Sequence, residues 1–150
     1  MTENKEKTNF KPIIGLTVIS LLICGLFFPL LVTGIAQVFF PYQANGEIVQ
    51  LNGKTIGSNL IAQNFTLPIF FHPRNDSASG VDPDITPQDA YSQIPRISNA
   101  TGISSAALTN IVNQNQEGTL WIFGSPYVNV LRVNLELIKE YPSAYSEFSG

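Results

Sequence analysis

An uncharged stretch near the N-terminus constrains this chain more than any other feature. Residues 12–46 contain no Asp, Glu, Lys, Arg or His. Within that stretch, Ile13 to Val38 would span roughly 39 Å as a helix, at about 1.5 Å per residue, whereas the hydrocarbon core of a bilayer is about 30 Å thick. No charge opposes insertion, so the stretch predicts one transmembrane helix. Tilt, or a kink at Gly25 and Pro29, would absorb the excess length.

The charges on either side of this stretch predict its orientation. Lysines precede it at positions 5, 7 and 11, and the first charge after it is Glu47. The positive-inside rule therefore places the N-terminus in the cytoplasm and the remaining chain outside. A cleaved signal peptide is the alternative, because residues 34–36 (Gly-Ile-Ala) form a passable cleavage site. The apolar run before them exceeds the usual length of about 7–15 residues, which favours a retained anchor.

Length and charge limit the part of the chain beyond the anchor. A chain of 150 residues leaves room for one small domain. From Glu47 onward, five Lys or Arg residues oppose nine carboxylates, a formal charge of −4. That segment has no Lys/Arg cluster suited to a phosphate backbone, so we expect no nucleic-acid partner. Cys24 is the only cysteine and is interpreted as a packing residue of the apolar run.

Turn and capping residues predict short elements in the domain. Asn52-Gly53 predicts a hairpin of Ile48–Leu51 with Lys54–Ile56. Thr86, Pro87 and Asp89 predict a helix start, and Pro95 should end or kink that helix early.

The remaining segments predict two further helices and two strands. Ser104 resembles the cap of a second helix, and Ser125-Pro126 the start of a third, whose apolar residues recur at helical spacing. Ile69–Phe71 and Leu120–Phe123 are predicted as strands. The fold class expected is α+β, with one N-terminal transmembrane helix followed by a small mixed α/β extracytoplasmic domain. The boundaries expected are a cytoplasmic tail at 1–11, the span at 12–40 and the domain at 41–150.

Residues suited to catalysis are few. His72 is the only histidine, and this count argues against a nucleophilic triad and against a multi-histidine metal site. Asp82, Asp84 and Asp89 lack the pattern of a calcium-binding loop and are interpreted as solvating the loop or capping a helix. Phosphate-binding glycine motifs are absent from the sequence. An anchored hydrolase using His72 with Asp82 or Asp84 remains an alternative, as does a stand-alone binding domain.

Neutral polar residues are more informative than charged ones. Two interpretations stay open for them: they bind loose backbone groups at the ends of elements, or they form an interface that is polar without carrying charge. These residues are Gln43, Asn45, Gln63, Asn64, Asn129 and Asn134.

Four ordered blocks carry a resemblance to a known family. They are Gly25–Gly46 (GLFFPLLVTGIAQVFFPYQANG), Gly57–Phe65 with Phe71–Arg74, Ser77–Pro87 with Ala90, Gln93 and Arg96 after it, and Gly124–Leu137. Together they resemble the C subunit (KdpC) of the Kdp potassium-transporting P-type ATPase. The family has a few dozen additional residues where Arg74 here leads almost directly into Ser77, so the chain looks like a shortened version.

The resemblance implies a non-catalytic accessory subunit in the plasma membrane of a prokaryote. Its partners would be a potassium-channel-like subunit, a P-type ATPase subunit and membrane lipid. ATP, magnesium and potassium would act on those partner subunits, with no cofactor bound directly by this chain. The role implied is to assemble or stabilise the complex and to raise the pump's apparent ATP affinity, which the topology would make an allosteric effect. The interface residues expected are Gly25, Pro29, Thr33, Gln37, Gln43, Asn45, Gln63, Asn64, Asn129 and Asn134.

Overall fold

The computed structural model describes residues 10–74, 76, 80–118 and 123–148. Its contacts divide the chain into two compact units, residues 1–45 and 46–150. The described part of the first unit is helical, whereas the second unit combines helices and strands. The structure is therefore α+β with an N-terminal apolar helix, as the sequence predicts.

The first unit contains a helix long and apolar enough to cross a membrane, judged by length and composition. This helix covers residues 10–39 without a break. Its parts are α1 (Phe10–Leu22), a π-helical turn (Ile23–Phe27) and α2 (Phe28–Phe39), and a short helix α3 (Pro41–Ala44) comes after it. Pro29 has no N–H to donate, and in the wider turn before it Phe28 N–H bonds to Ile23 O. The α-helical hydrogen bonding is therefore replaced by π-helical bonding in the segment where Gly25 and Pro29 predicted an interruption.

The second unit holds the remaining elements. They are β1 (Ile48–Leu51), β2 (Lys54–Ser58), β3 (Asp84–Ile85), α4 (Pro87–Thr101), α5 (Ser105–Gln114), β4 (Gln116–Glu117), β5 (Tyr127–Asn129) and α6 (Val130–Glu140). Strands β1 and β2 form an antiparallel hairpin. A second antiparallel sheet has the order β3-β5-β4.

The hairpin and the two predicted helix starts are confirmed. Asn52 and Gly53 have φ angles of 51° and 78°, as a type I′ turn requires. The Thr86 hydroxyl accepts from Asp89 N–H at 3.1 Å, and the Ser104 hydroxyl accepts from Ala107 N–H at 3.3 Å. Each side chain satisfies a backbone donor that its helix leaves unpaired.

The predicted early end of this helix at Pro95 was wrong. Helix α4 continues past Pro95 to Thr101 and ends at Gly102, whose φ of 76° suits a glycine C-cap. Ile94 and Ile97 are buried on either side of the proline. Their burial holds both halves of the helix against the core and offsets the hydrogen bond that proline removes.

The predicted strand at Ile69–Phe71 was also wrong. The backbone of this segment bonds to side chains that are distant in sequence, and not to a neighbouring strand. Asn134 bonds to both Phe71 N and Phe71 O, at 2.8 and 2.9 Å. The Tyr145 hydroxyl donates to Ile69 O at 2.8 Å, and burial raises the pKa of Tyr145 to about 12. The segment is thus buried and hydrogen-bonded without belonging to a sheet.

The third helix begins later than Ser125-Pro126 predicts. Tyr127–Asn129 forms β5, which pairs with β3 on one side and β4 on the other. Helix α6 therefore begins at Val130, with Asn129 as its cap. Most of the predicted strand at Leu120–Phe123 lies outside the described residues.

The core of the second unit lies between α4, α5 and α6. Helix α6 has the predicted amphipathic pattern, with Leu131, Leu135 and Ile138 buried on the same face. Ring contacts extend this core, because Phe70 packs against Phe65, Tyr145 and Phe148 with centroids 5.1–5.3 Å apart. The core anchors the loops that carry the polar residues considered as site candidates.

Candidate functional site

Four candidate interface residues lie along the apolar helix of the first unit. Gly25 lies within the π-helical turn and Pro29 in the first turn of α2. Thr33 and Gln37 come next in α2 at intervals of four residues, so these positions and Pro29 share one side of the helix. All four are exposed.

The polar end of this helix is held by a pair of amides. Gln37 Nε2 donates to Asn45 Oδ1 at 3.3 Å, and Asn45 Nδ2 donates to Gln37 Oε1 at 3.2 Å. Asn45 Nδ2 also donates to Pro41 O at 2.6 Å. The pair fixes α3 against the end of α2, while Gln43 is exposed within α3.

Gln63 and Asn64 lie in the loop after the hairpin. Gln63 Nε2 donates to Ile61 O at 2.9 Å. Its side chain also covers Gly57, where a Cβ atom would lie 2.5 Å from Gln63 Cδ. A side chain at position 57 would therefore displace the Gln63 amide, and this packing holds the loop against β2. Asn64 is exposed, at the edge of an apolar groove of about 670 Å³.

Asn129 and Asn134 bind the domain's own chain. Asn129 Oδ1 caps α6 by accepting from Arg132 N–H at 3.2 Å. Its Nδ2 donates to Asn59 O at 2.8 Å and to Asp84 Oδ1 at 2.9 Å. Asn134 is fully buried and bonds to the backbone of Phe71. Of the two interpretations offered for these asparagines, the structure shows the binding of backbone groups.

His72 lies in a network that also serves the backbone. His72 Nε2 lies 2.9 Å from Leu67 O and 3.4 Å from Arg96 Nη1. Arg96 donates to Pro68 O at 2.6 Å and to Phe70 O at 2.9 Å. Burial lowers the pKa of Arg96. Gln93 accepts from His72 N at 2.8 Å and donates to His72 O at 3.1 Å. These contacts fix the loop onto α4.

The clustered carboxylates have structural partners. Asp82 Oδ1 accepts from Asp84 N–H at 3.1 Å, and Asp89 lies in the first turn of α4, where its backbone N–H meets the Thr86 cap. Burial, aided by the charges of Asp82 and Glu117, raises the pKa of Asp84, although its bond from Asn129 opposes the shift. Nearby, Arg132 bonds to the Glu117 carboxylate and lies 3.6 Å from that of Glu47. Among the described residues, no group of three or more His, Cys, Asp or Glu is arranged to hold a metal ion.

Sequence reasoning missed exposed apolar residues on two loops near these carboxylates. Leu60, Ile61 and Val81 are each about half exposed, and Ala62 N–H bonds to Val81 O at 2.9 Å, which brings the two loops together. The segment around Leu60 is ambiguous between helix and strand in the sequence. The sequence did contain a signal for an exposed apolar turn. Leu60 and Ile61 directly follow Gly57, Ser58 and Asn59, which are turn-forming residues.

Comparison with known proteins gives a consistent result. A family model described as the K+-transporting ATPase, c chain (KdpC), matches residues 10–76 and 75–139. The potassium-transporting ATPase KdpC subunit of Caldanaerobacter subterraneus subsp. tengcongensis is 31% identical, with 87% of this chain and 94% of the relative covered. That of Koribacter versatilis is 32% identical with the same coverage. That of Bacillus cereus strain Q1 is 33% identical, with 90% and 97% covered.

The alignments also locate the shortening. The first spans 182 positions, whereas 87% of a 150-residue chain is about 131 residues, so about 50 positions of the relative have no counterpart here. The two matches to the family model meet at residues 75 and 76, where the sequence comparison with the family motifs places the missing segment. By the extent of these matches, the chain belongs to the KdpC family, in a shortened form.

Proposed function

We propose that this chain is a non-catalytic accessory subunit of an ATP-driven, high-affinity potassium uptake complex. Its family membership supports a place in a potassium-transporting ATPase. The observation that carries the accessory role is the use of the domain's polar side chains. His72, Arg96 and Asn134 all bind backbone groups of their own domain. In this proposal these side chains stabilise the fold of the domain and do not form a catalytic site.

The partners in this proposal are a potassium-channel-like subunit and a P-type ATPase subunit. ATP, magnesium and potassium act on those subunits, and this chain assembles or stabilises them. Residues 1–11 lie in the cytoplasm, residues 12–40 cross the plasma membrane of a prokaryote, and residues 41–150 lie outside. The support for this orientation is the three lysines before the uncharged stretch of residues 12–46 and the absence of Lys or Arg directly after that stretch.

Any effect on the pump's ATP affinity is indirect in this arrangement. ATP is hydrolysed in the cytoplasm, whereas the domain lies on the other side of the membrane. The chain would then change ATP affinity by favouring one of two states of a partner subunit. We place the contacts on the exposed candidates, which are Gly25, Pro29, Thr33, Gln37, Gln43, Asn45 and Asn64. The half-buried Gln63 and the buried Asn129 and Asn134 support the domain from within.

Potassium uptake in a deletion strain tests the proposal. Cells that lack this chain should lose growth at micromolar potassium and regain it when the chain is supplied from a plasmid. Mild-detergent extraction of the rescued cells should yield the chain together with both partner subunits. Normal high-affinity uptake without the chain would contradict the proposal.

The same strain separates the accessory role from the hydrolase alternative. His72→Ala removes the side chain on which that alternative depends, and Asp84→Asn removes its carboxylate partner. We expect both variants to restore uptake, because neither side chain takes part in catalysis. Loss of uptake by both variants, with normal amounts of folded subunit in the membrane, would favour the hydrolase.

A further inference from the structure

Three aromatic side chains lie where the apolar helix of the first unit ends. Phe39 is the last residue of that helix, Phe40 follows it, and Tyr42 lies in α3. Their exposed fractions are 70%, 59% and 45%. Aromatic rings gain free energy when their apolar area leaves water. These three rings, here called the aromatic collar, are therefore suited to an environment less polar than bulk water.

The length of the helix places the collar at a definite depth. From Lys11, the last charge before the uncharged stretch, the helix rises about 42 Å to Phe39, at about 1.5 Å per residue. A bilayer is about 40–45 Å thick when its headgroup regions are included, and its hydrocarbon core is about 30 Å thick. When Lys11 lies in one headgroup layer, Phe39 therefore lies in the opposite one.

Amide side chains make the same segment too polar for the hydrocarbon core. Gln37, Gln43 and Asn45 are exposed, and an amide is unfavourable in an apolar medium. The rings are stabilised by leaving water, whereas the amides are stabilised by keeping it. Both requirements are met in the headgroup layer, where side chains with an apolar body and a polar tip concentrate.

Hydrogen bonds fix the shape of the collar. Phe40 leaves the helical conformation, with φ −136° and ψ 53°. Its N–H donates to Ala36 O, and its carbonyl accepts from Ala44 N–H, each at 2.8 Å. The two amide bonds between Gln37 and Asn45 close the turn. A turn fixed in this way loses little conformational entropy when its rings enter lipid.

We infer that the rings of Phe39, Phe40 and Tyr42 bind the phospholipid headgroup layer at the C-terminal end of the span. Residues 12–46 carry no charge, so this binding has no preference for anionic lipid. The inference rests on the membrane span of the proposed function and extends the membrane-bound segment from residue 40 to Asn45. It also assigns to lipid three rings that are not among the candidate partner contacts.

Fluorescence quenching measures the depth of the collar. Trp121 is the only tryptophan, so Phe40→Trp in a Trp121→Phe background gives a single reporter in the full chain, reconstituted into phosphatidylcholine vesicles. We expect strong quenching by lipid brominated near the headgroup end of its acyl chains, and weak quenching by lipid brominated near the chain termini. Addition of phosphatidylglycerol should leave this depth unchanged. A depth that changed with anionic lipid would contradict binding by uncharged rings.

Two matched reporters in the same background set the scale. Leu26→Trp lies about midway between Lys11 and Phe39, at a position that is 55% exposed, and should be quenched most by lipid brominated near the chain termini. Phe123→Trp, in the second unit and at a position 70% exposed, should be quenched by neither lipid.

These reporters separate the two ways of failing. If the reporter at position 26 responded to no brominated lipid, the membrane span and with it the proposed function would fail. If that reporter responded as expected, the collar alone would be overturned by quenching at position 40 that is as weak as at position 123 or as deep as at position 26.

Removal of the amide pair tests the fixed turn. Asn45→Ala removes the bonds to Gln37 and to Pro41 O, so the reporter at position 40 should be quenched less by the shallow lipid and should emit at longer wavelength. Gln43→Ala, at an exposed position of the same short helix, is the matched control and should change neither. Unaltered quenching in the Asn45 variant would contradict the role of the pair.

Photocross-linking identifies what covers the collar in the assembled complex. The amino acid p-benzoylphenylalanine in place of Phe40 should form adducts with phospholipid, detected by mass spectrometry, and none with protein. An adduct with another pump subunit, or with a second copy of this chain, would overturn the inference while leaving the accessory role intact.

Discussion

Asparagine side chains connect separate parts of this domain, because each amide carries both a donor and an acceptor. Asn134 bonds to both backbone groups of Phe71, which lies 63 positions earlier in the chain. Asn129 caps α6 and also reaches Asn59, 70 positions earlier. Each asparagine therefore holds a loop against the N-terminal half of α6 by side-chain hydrogen bonds.

We predict that Asn134→Ala destabilises the domain strongly. The substitution leaves Phe71 N–H and Phe71 O buried without their partner, and each unsatisfied group reduces stability by about 1–3 kcal/mol. The free energy of unfolding should fall by about 2–4 kcal/mol. Denaturant unfolding of the full chain in mild detergent, monitored by near-UV circular dichroism, measures this change.

Asn64→Ala is the matched control for that measurement. Asn64 is exposed, and substitutions at such positions usually change stability by less than about 0.5 kcal/mol. Equal stability of the two variants would show that the Phe71 backbone finds other partners when Asn134 is removed.

At the level of elements, α4 is a helix that tolerates a proline at its centre. Proline at position 95 removes the bond that this residue would donate to Tyr91 O, while Ile94 and Ile97 remain buried. Packing of the apolar face therefore determines the length of the helix more than the local hydrogen bond does. The Thr86 cap and the Gly102 terminus mark its two ends.

We predict that Pro95→Ala stabilises the domain. Alanine restores the missing backbone donor and removes the clash of the ring with the preceding turn. The more flexible unfolded chain offsets part of this gain. The net increase in the free energy of unfolding should be about 1–2 kcal/mol, measured under the same conditions as for Asn134. A decrease would show that the helix is bent at the proline in a way that the packing of Ile94 and Ile97 requires.

Signals that act within a few residues predicted the elements best. The Asn52-Gly53 turn and the caps at Thr86 and Ser104 depend on neighbours in sequence, and the structure confirms all three. The buried segment at Ile69–Phe71 and the pairing of β5 with β3 depend on partners more than 40 positions away. No local pattern distinguishes an apolar segment held by a strand from one held by side chains.

The candidate site shows the same limit. The sequence singled out the neutral polar residues, but it left open whether they bind backbone or partner. The bonds of Asn129 and Asn134 across the fold show their backbone role. The loop of Leu60 and Ile61 meets the loop of Val81 only in the folded chain, through the bond from Ala62 N–H to Val81 O, which joins residues 19 positions apart.

At the scale of the whole molecule, the hydrophobic core forms without the additional segment that the relatives contain. About 50 positions of a relative have no counterpart here, at a point between the buried Phe71 and the buried Ile85. Both residues belong to one hydrophobic cluster with the apolar residues of α4, α5 and α6. The additional segment of the relatives is therefore not needed to complete this core.

The orientation of the chain in the membrane determines how it can affect its partners, and protease protection tests it. We predict that proteinase K added to spheroplasts removes a C-terminal tag but spares an N-terminal one, and that inverted vesicles give the opposite result. The reason is that three lysines precede the uncharged stretch of residues 12–46 and favour the cytoplasmic side. A cytoplasmic protein that stays intact in spheroplasts serves as the control for membrane integrity. Loss of the N-terminal tag in spheroplasts would place the domain beside the cytoplasmic ATP site, where direct contact with the ATP-hydrolysing subunit would replace an allosteric effect as the simpler mechanism.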